Sequence, residues 1–292
     1  MLILHDPRCV DYGSSLRPEQ PARITKTVPY LQAAHPAWEW RVPDPAGDEL
    51  LRLAHTEAHL RRLERGPDFD ADTPYFAGIA NHVRRAVGAA VLAAQQARAG
   101  RKAFALMRPP GHHAMADRAM GFCYLNSIAV AVLDAQRSGA ARVAVWDFDA
   151  HHGNGTEAIL QGREHVFFAS VHQSPGYPGT GTRDLGRGTR NWPVAPHSPR
   201  EQHMSALADS WAAVRAFHPD LVLVSAGFDA YAGDPITEMT LEAEDFATLG
   251  RWLAEAELPT AAILEGGYSA DLPVLIERFL AAWAGEDRFS PP

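Results

Sequence analysis

RVAVWDFDAHHGNGTEA, residues 142–158, changes character in its middle. Arg142–Trp146 is nearly all apolar and rich in valine, as in a strand buried on both faces of a sheet. Asp147–His152 then crowds two aspartates and two histidines into six positions. Gly155-Thr156-Glu157 opens a helical stretch. Strand, polar turn and helix in succession form the repeating unit of a parallel α/β sheet. The reading of this one segment therefore sets the fold class, and the rest of the chain can be tested against it.

The unit recurs. Short, almost continuously apolar runs stand at 103–107 (AFALM), 166–171 (VFFASV), 220–225 (DLVLVS) and 260–264 (TAAIL), with a shorter strand at 2–4. Helical patterns lie at 123–137, 201–217, 242–256 and 270–284. Met204, Leu207, Trp211, Val214 and Phe217 fall at intervals of three and four, as do Ile79, Val83, Val87, Val91 and Ala94. The expected architecture is an α/β domain with helices on both faces of a mostly parallel sheet. The first hundred residues read as more helical, and the proline-rich pieces 41–48 and 191–199 read as loops. No boundary interrupts the pattern, so one domain is expected over 1–292.

Composition narrows the function. The chain has 292 residues, 46% of them apolar, and a formal net charge of −8. That charge disfavours nucleic acid as a partner and weakly favours cationic substrates. Cys9 and Cys123 are too few for a disulfide framework and fit a reducing compartment. The N-terminus is too soon interrupted for a signal peptide, and no apolar run nears the ~20 residues of a membrane span. The expectation is a soluble, cytoplasmic enzyme without a membrane partner; a homo-oligomer is left open.

Each unusual polar cluster directly follows one of these strands. RPPGHHA follows 103–107, DFDAHHGNG follows 142–146, AGFDAYAGDP follows 220–225, and EGGYS follows 260–264. Ligands of open parallel sheets bind beyond the carboxyl ends of the strands, so the four clusters should converge. Side chains two apart share a face of an extended segment, so Asp149 and His151 can aim at one spot. A carboxylate and an imidazole suit Zn²⁺, and three protein ligands with an open position make a catalytic site. Asp234 is the expected third ligand and Asp229 its competitor. His112 and His113 suit proton transfer near neutrality, with Asp147 and Asn154 available to fix their tautomers. Asn154 also fits a simple helix-capping role. His55, His59 and His165 read as ordinary core or surface histidines. Tyr268, after Gly266-Gly267, could donate to a developing oxyanion.

Taken together, RPPGHHA, GFCYLNSIAVA, DFDAHHGNGTE, SVHQSPGYPGTG, SAGFDAYAGDP and LEGGYS resemble the zinc-dependent histone deacetylase and acetylpolyamine amidohydrolase family. RPEQPARI at 17–24 is a weaker form of that family's N-terminal motif. The resemblance implies a three-layer α/β/α, arginase-like fold around a mostly parallel eight-stranded sheet. It implies one Zn²⁺ per chain on Asp149, His151 and Asp234, with His113 as general base and then general acid. His112 paired with Asp147 would give electrostatic support, and Tyr268 would polarise the amide carbonyl. Gly121, Phe122, Tyr177 and Gly267 would line the acyl tunnel, and Asp72 would hold the substrate at its mouth. Asp147, Asp149, His151, Ser170 and Val171 would surround a structural K⁺. HHGNGT with LEGGY points to the class II-like, bacterial-type branch, whereas Tyr177 carries a hydroxyl where phenylalanine is usual. The implied substrate is an acyl-lysine peptide or protein, with an acetylated polyamine or other small N-acyl amine as the alternative. Ile236 directly follows Asp234-Pro235, so no acid stands there to favour a polycation, although Glu238 is near. An arginase-type ureohydrolase and a non-enzymatic binding protein on the same scaffold are more remote readings.

Overall fold

A computed structural model describes residues 1–286; the last six positions of the domain expected over 1–292 lie outside the described residues. Eight strands form one sheet: β1 (Leu2–Leu4), β2 (Glu39–Arg41), β3 (Ala103–Ala105), β4 (Val143–Asp147), β5 (Val166–Gln173), β6 (Thr189–Val194), β7 (Leu221–Ala226) and β8 (Thr260–Leu264). Their order is β2-β1-β3-β8-β7-β4-β5-β6, and every pairing is parallel. The helices are α1 (Ala22–Thr25), α2 (Thr27–Ala34), α3 (Asp48–Leu51), α4 (Glu57–Arg62), α5 (Ile79–Arg98), α6 (Ser127–Arg137), α7 (Asn154–Leu160), α8 (Arg200–Ala216), α9 (Ala243–Ala256) and α10 (Leu272–Ala284).

β4, β7 and β8 are buried at every residue. A strand without an exposed face must be covered on both sides, which is why helices sandwich the sheet. α5 turns the stripe Ile79, Val83, Val87, Val91 and Ala94 inward, all of them buried. α8 buries Leu207, Trp211 and Val214, and Trp211 packs on Trp146 of β4 with ring centroids 4.8 Å apart. The Trp146 indole N–H finds Ser210 Oγ at 2.9 Å, so its polar atom is not stranded in the core. Among the described residues no helix is long and apolar enough to cross a membrane.

The interior strands fall where the apolar runs predict them, within a residue or two. The sequence reading missed the two edges, β2 and β6. β6 overturns part of the loop expected over 191–199: it carries exposed Arg190 and, at its fifth position, Pro193. A proline is tolerated at a sheet edge, where its missing N–H breaks no ladder on the solvent side. The helix expected from 123 begins at Ser127, because Asn126 caps it by accepting from the Ala129 amide.

Two buried histidines tie stability to pH. Burial pushes His55 down to about 3, with His59 adding to the effect, and burial pushes His203 down to about 4. His55 Nε2 accepts the Asn126 amide and its Nδ1 meets the Met115 carbonyl, so a proton on Nε2 would break a buried bond. His203 has no hydrogen-bond partner on either ring nitrogen among the described residues. Both rings are neutral when folded and take up a proton below pH ~6.5 when unfolded. Their contribution is therefore full above pH ~6.5 and is lost as pH falls toward the folded values. Urea unfolding should show stability falling between pH 6.5 and 5 by up to about 1.4 kcal/mol per pH unit per histidine. His203→Leu should flatten that slope; an unchanged slope would remove His203 from the explanation.

Candidate active site

The four strands that carry the polar clusters, β3, β8, β7 and β4, are consecutive neighbours in the sheet. Their carboxyl-terminal loops accordingly meet. His112 and His113 come from the loop after β3, with ring centroids 4.0 Å apart. His112 Nδ1 lies 3.1 Å from Asp147 Oδ2 at the end of β4. His113 Nδ1 lies 2.8 Å from Asn154 Oδ1. Asn154 is not the N-cap of α7; Gly153 takes that position, and the amide side chain is spent on His113 instead.

Electrostatics separate the two histidines. Burial opposes charge on His112, but Asp149 and Asp147 outweigh it and raise the ring to about 10. His113 is held well below its ordinary value by burial, with His112 and His151 adding to the effect. The surroundings thus favour the charged form of His112 and the neutral form of His113. Because the Asn154 oxygen can only accept, the network places the His113 proton on Nδ1 and leaves Nε2 basic.

The acids crowd behind them. Asp149 Oδ2 accepts from the Gly266 amide at 2.7 Å, and its Oδ1 lies 3.2 Å from His151 Nδ1. Asp229 Oδ1 accepts from the Ala150 amide at 2.8 Å and its Oδ2 lies 2.9 Å from His151 Nδ1. Ligand atoms of Asp149, His151 and Asp229 all lie within 4.8 Å of one another. This tight grouping contains the competitor, Asp229, rather than the expected Asp234. Asp234 stands alongside, taking the amides of Ile236 and Tyr268 at 3.1 and 2.8 Å. Burial first, then the charges of Asp229 and Asp149, raise it to about 7. Burial works against charge on Asp149 too, but His112 and His151 pull its carboxyl well below the usual range. The approach is so close that a Cβ on Gly266 would sit 2.2 Å from Asp229 Oδ2 and 2.5 Å from Asp149 Oδ2.

A cavity of about 290 Å³ opens onto this cluster, with His113, His151 and Tyr268 in its lining. Its wall is Gly121, Phe122 and Tyr177. Gly121 has φ +56°, and a Cβ there would meet His113 Cδ2 at 2.6 Å and Tyr177 Cε1 at 2.9 Å, so any other residue closes the passage. Phe122 and Tyr268 meet edge to face at 5.7 Å. The more exposed lining residues are Asp72, Ile236 and Tyr177, and Arg17 is half-buried. Gly267 supports Tyr268 from behind, its carbonyl accepting from Arg23 Nε at 2.7 Å. The register pairs Asp147 with Ser170, two of the residues expected around K⁺ with Asp149, His151 and Val171. His55 and His59 are buried away in backbone hydrogen bonds, and His165 is exposed on a turn.

Sequence reasoning did not assign Glu265. Its carboxylate accepts the amides of Gly111 at 2.6 Å and His112 at 3.1 Å, fastening the histidine loop to β8, three residues before Tyr268. It also did not foresee that Arg108 would be fully buried on Glu19, which lies within the 17–24 motif.

The histone deacetylase domain family matches residues 17–282. The chain belongs to that family. A probable deacetylase of Methanothermobacter thermautotrophicus is 35% identical over 93% of this chain and 86% of its own length. Acetylpolyamine amidohydrolase 1 of Pseudomonas aeruginosa is 36% identical over 83% of this chain and 76% of its own. A solved acetylpolyamine aminohydrolase from Burkholderia pseudomallei superposes with a TM-score of 0.85 at 28% identity, covering 98% of this chain and 99% of that one. The sheet and its flanking helices are those of this deacetylase and amidohydrolase family, and the chain is a hydrolase of amide bonds.

Proposed function

We propose that the chain hydrolyses N-acyl derivatives of aliphatic amines, with a divalent metal ion held by Asp149, His151 and Asp234. The single observation that carries this reading is His113, its Nδ1 fixed by Asn154 and its ring beside His112, at the wall of a cavity that also holds Tyr268. The donor set fits a metal: two buried carboxylates, Asp149 and Asp229, share one spot with the ring of His151, and a third, Asp234, is buried near enough to feel the charges of both. Clustered buried carboxylates need compensating positive charge, which a metal ion supplies. Zinc is the reading for a carboxylate and imidazole set with an open side. Asp234 is preferred over Asp229 as third ligand because the residues it holds, Ile236 and Tyr268, line the cavity, as His151 does. Such an ion, when bound, supplies Lewis acidity toward the acyl carbonyl and the attacking water.

The chain's own groups do the rest. His113 Nε2 takes a proton from the attacking water and passes it to the leaving nitrogen. Asn154 keeps the ring in the tautomer that leaves Nε2 basic. The Tyr268 hydroxyl donates to the oxygen that gains charge as the carbonyl carbon becomes tetrahedral. One water is consumed, the C–N bond breaks, a C–O bond forms, and a carboxylic acid and an amine leave. Phe122, Tyr177 and Gly121 wall a narrow passage suited to a straight alkyl chain.

The test is acetate release from a panel of N-acetylated amines by the zinc-loaded protein. Stoichiometric acetate and free amine from at least one alkylamine derivative are expected. A metal-loaded, folded protein inert toward the whole panel would overturn the reading.

A further inference from the structure

The cavity mouth carries two charges that the proposed reaction does not use. Arg17 and Asp72 both line it. Arg17 NH1 donates to the Ala71 carbonyl at 3.0 Å, which pins the guanidinium beside the main chain of Asp72. The turn that presents Asp72 is itself fixed: Asp70 Oδ1 accepts the amides of Asp72 at 2.9 Å and Thr73 at 2.6 Å. Thr73 Oγ1 accepts the Phe122 amide at 3.1 Å, tying the turn to the passage wall. Among the described residues neither Arg17 nor Asp72 takes part in an ion pair. A cation and an anion therefore stand on one rim, the guanidinium held by a backbone carbonyl, the acid carried on a turn fixed by Asp70, and each without a charged partner.

We infer that this rim recognises a zwitterionic amino-acid head, so that the preferred substrate is a free Nε-acyl-lysine, its α-carboxylate on Arg17 and its α-ammonium on Asp72. The inference rests on the amide-hydrolase reading of the same site. A polyamine tail offers Asp72 a cation but gives Arg17 only repulsion. A lysine within a peptide presents neutral amides to both. A free amino acid satisfies both charges, and a planar guanidinium matches a carboxylate in two parallel bonds. The cavity, about 290 Å³, lies at the small end of small-molecule sites, ~300–1,000 Å³, and has room for one acyl-amino acid. The narrow wall at Gly121 and Tyr177 would take the lysine tether.

Three small substrates separate the two charges. Nε-acetyl-lysine carries both; N-acetylcadaverine is the same molecule without the carboxylate; 6-acetamidohexanoate lacks the α-ammonium. Their kcat/KM values should be compared for the wild type, Arg17→Gln and Asp72→Asn. The wild type should prefer Nε-acetyl-lysine by about tenfold or more over each of the others, the scale of a charge-assisted contact near a surface. Arg17→Gln should collapse the ratio to N-acetylcadaverine, and Asp72→Asn the ratio to 6-acetamidohexanoate. Calorimetry of the products should show lysine binding more tightly than cadaverine. Equal or faster turnover of N-acetylcadaverine, or faster turnover of an acetyl-lysine peptide amide, would overturn the inference and leave the hydrolase reading standing. No turnover of any of these compounds would overturn this inference, and the hydrolase reading would fall with it only if the wider panel of N-acetylated amines were inert as well.

Discussion

Asp149→Asn should lose both the metal ion and turnover. The carboxylate is fully buried, and it accepts from the Gly266 amide on one oxygen while facing His151 on the other. Asparagine keeps the volume but removes the charge and turns one acceptor into a donor. The nearby acids would then confront the site with a weaker cage, and the Lewis acidity proposed for the reaction would go. Several kcal/mol of transition-state stabilisation is at stake, so kcat/KM should fall by about a thousandfold or more. Elemental analysis of the purified protein should find about one metal ion per chain in the wild type and a small residue in the variant. Thermal unfolding would show that the variant still folds. A full metal equivalent in Asp149→Asn would place the ion elsewhere. The same assay decides between the two remaining acids. Asp234→Asn should lose the metal, whereas Asp229→Asn should keep it with weaker affinity, because Asp229 then serves to orient His151 and the Ala150 amide. The reverse result would make Asp229 the third ligand.

That choice marks where sequence reading runs out. The interior of the sheet was legible because β4, β7 and β8 bury both faces, which forces continuous apolar runs. The edges were not, since β2 alternates Glu39, Trp40 and Arg41, and β6 includes Arg190 and Pro193; an edge strand needs only one neighbour and tolerates polar residues. In the site, the clusters at strand ends were legible because a parallel sheet dictates where its loops gather. Contacts across those loops were not. Glu265 touches Gly111 across 154 residues, and no spacing in the chain signals such a bond. Asp229 and Asp234 share one loop, so only their three-dimensional placement distinguishes them. Arg17 was quoted as the start of a motif, but its place on the rim depends on the fold bringing residue 17 to Ala71.

His113→Ala and Tyr268→Phe should each lose about a hundredfold or more in kcat/KM while keeping the metal. The argument differs for the two. His113 is flanked by His112 at 4.0 Å, and its Nδ1 is committed to Asn154, so no other ring in the cavity has a free basic nitrogen held the same way. His151 lies in the cavity lining as well, but its Nδ1 faces Asp149 and Asp229. Removing His113 should therefore remove proton transfer at both ends of the reaction, and a cushion of small external imidazole should restore part of the rate. Tyr268 moves no proton in this scheme; it donates one hydrogen bond to a charge that exists only near the transition state. Its loss should lower kcat and leave KM nearly unchanged. Phenylalanine preserves the ring packing on Phe122 and beneath the Arg23 guanidinium, which lies 5.0 Å above the ring, so a folding defect would not mimic the result. If Tyr268→Phe instead raised KM at constant kcat, the hydroxyl would be binding the ground state, and oxyanion stabilisation would have to come from elsewhere in the cavity. If His113→Ala kept near-wild-type turnover, the neutral ring would be a structural neighbour of His112 and the proton path would have to begin at another group.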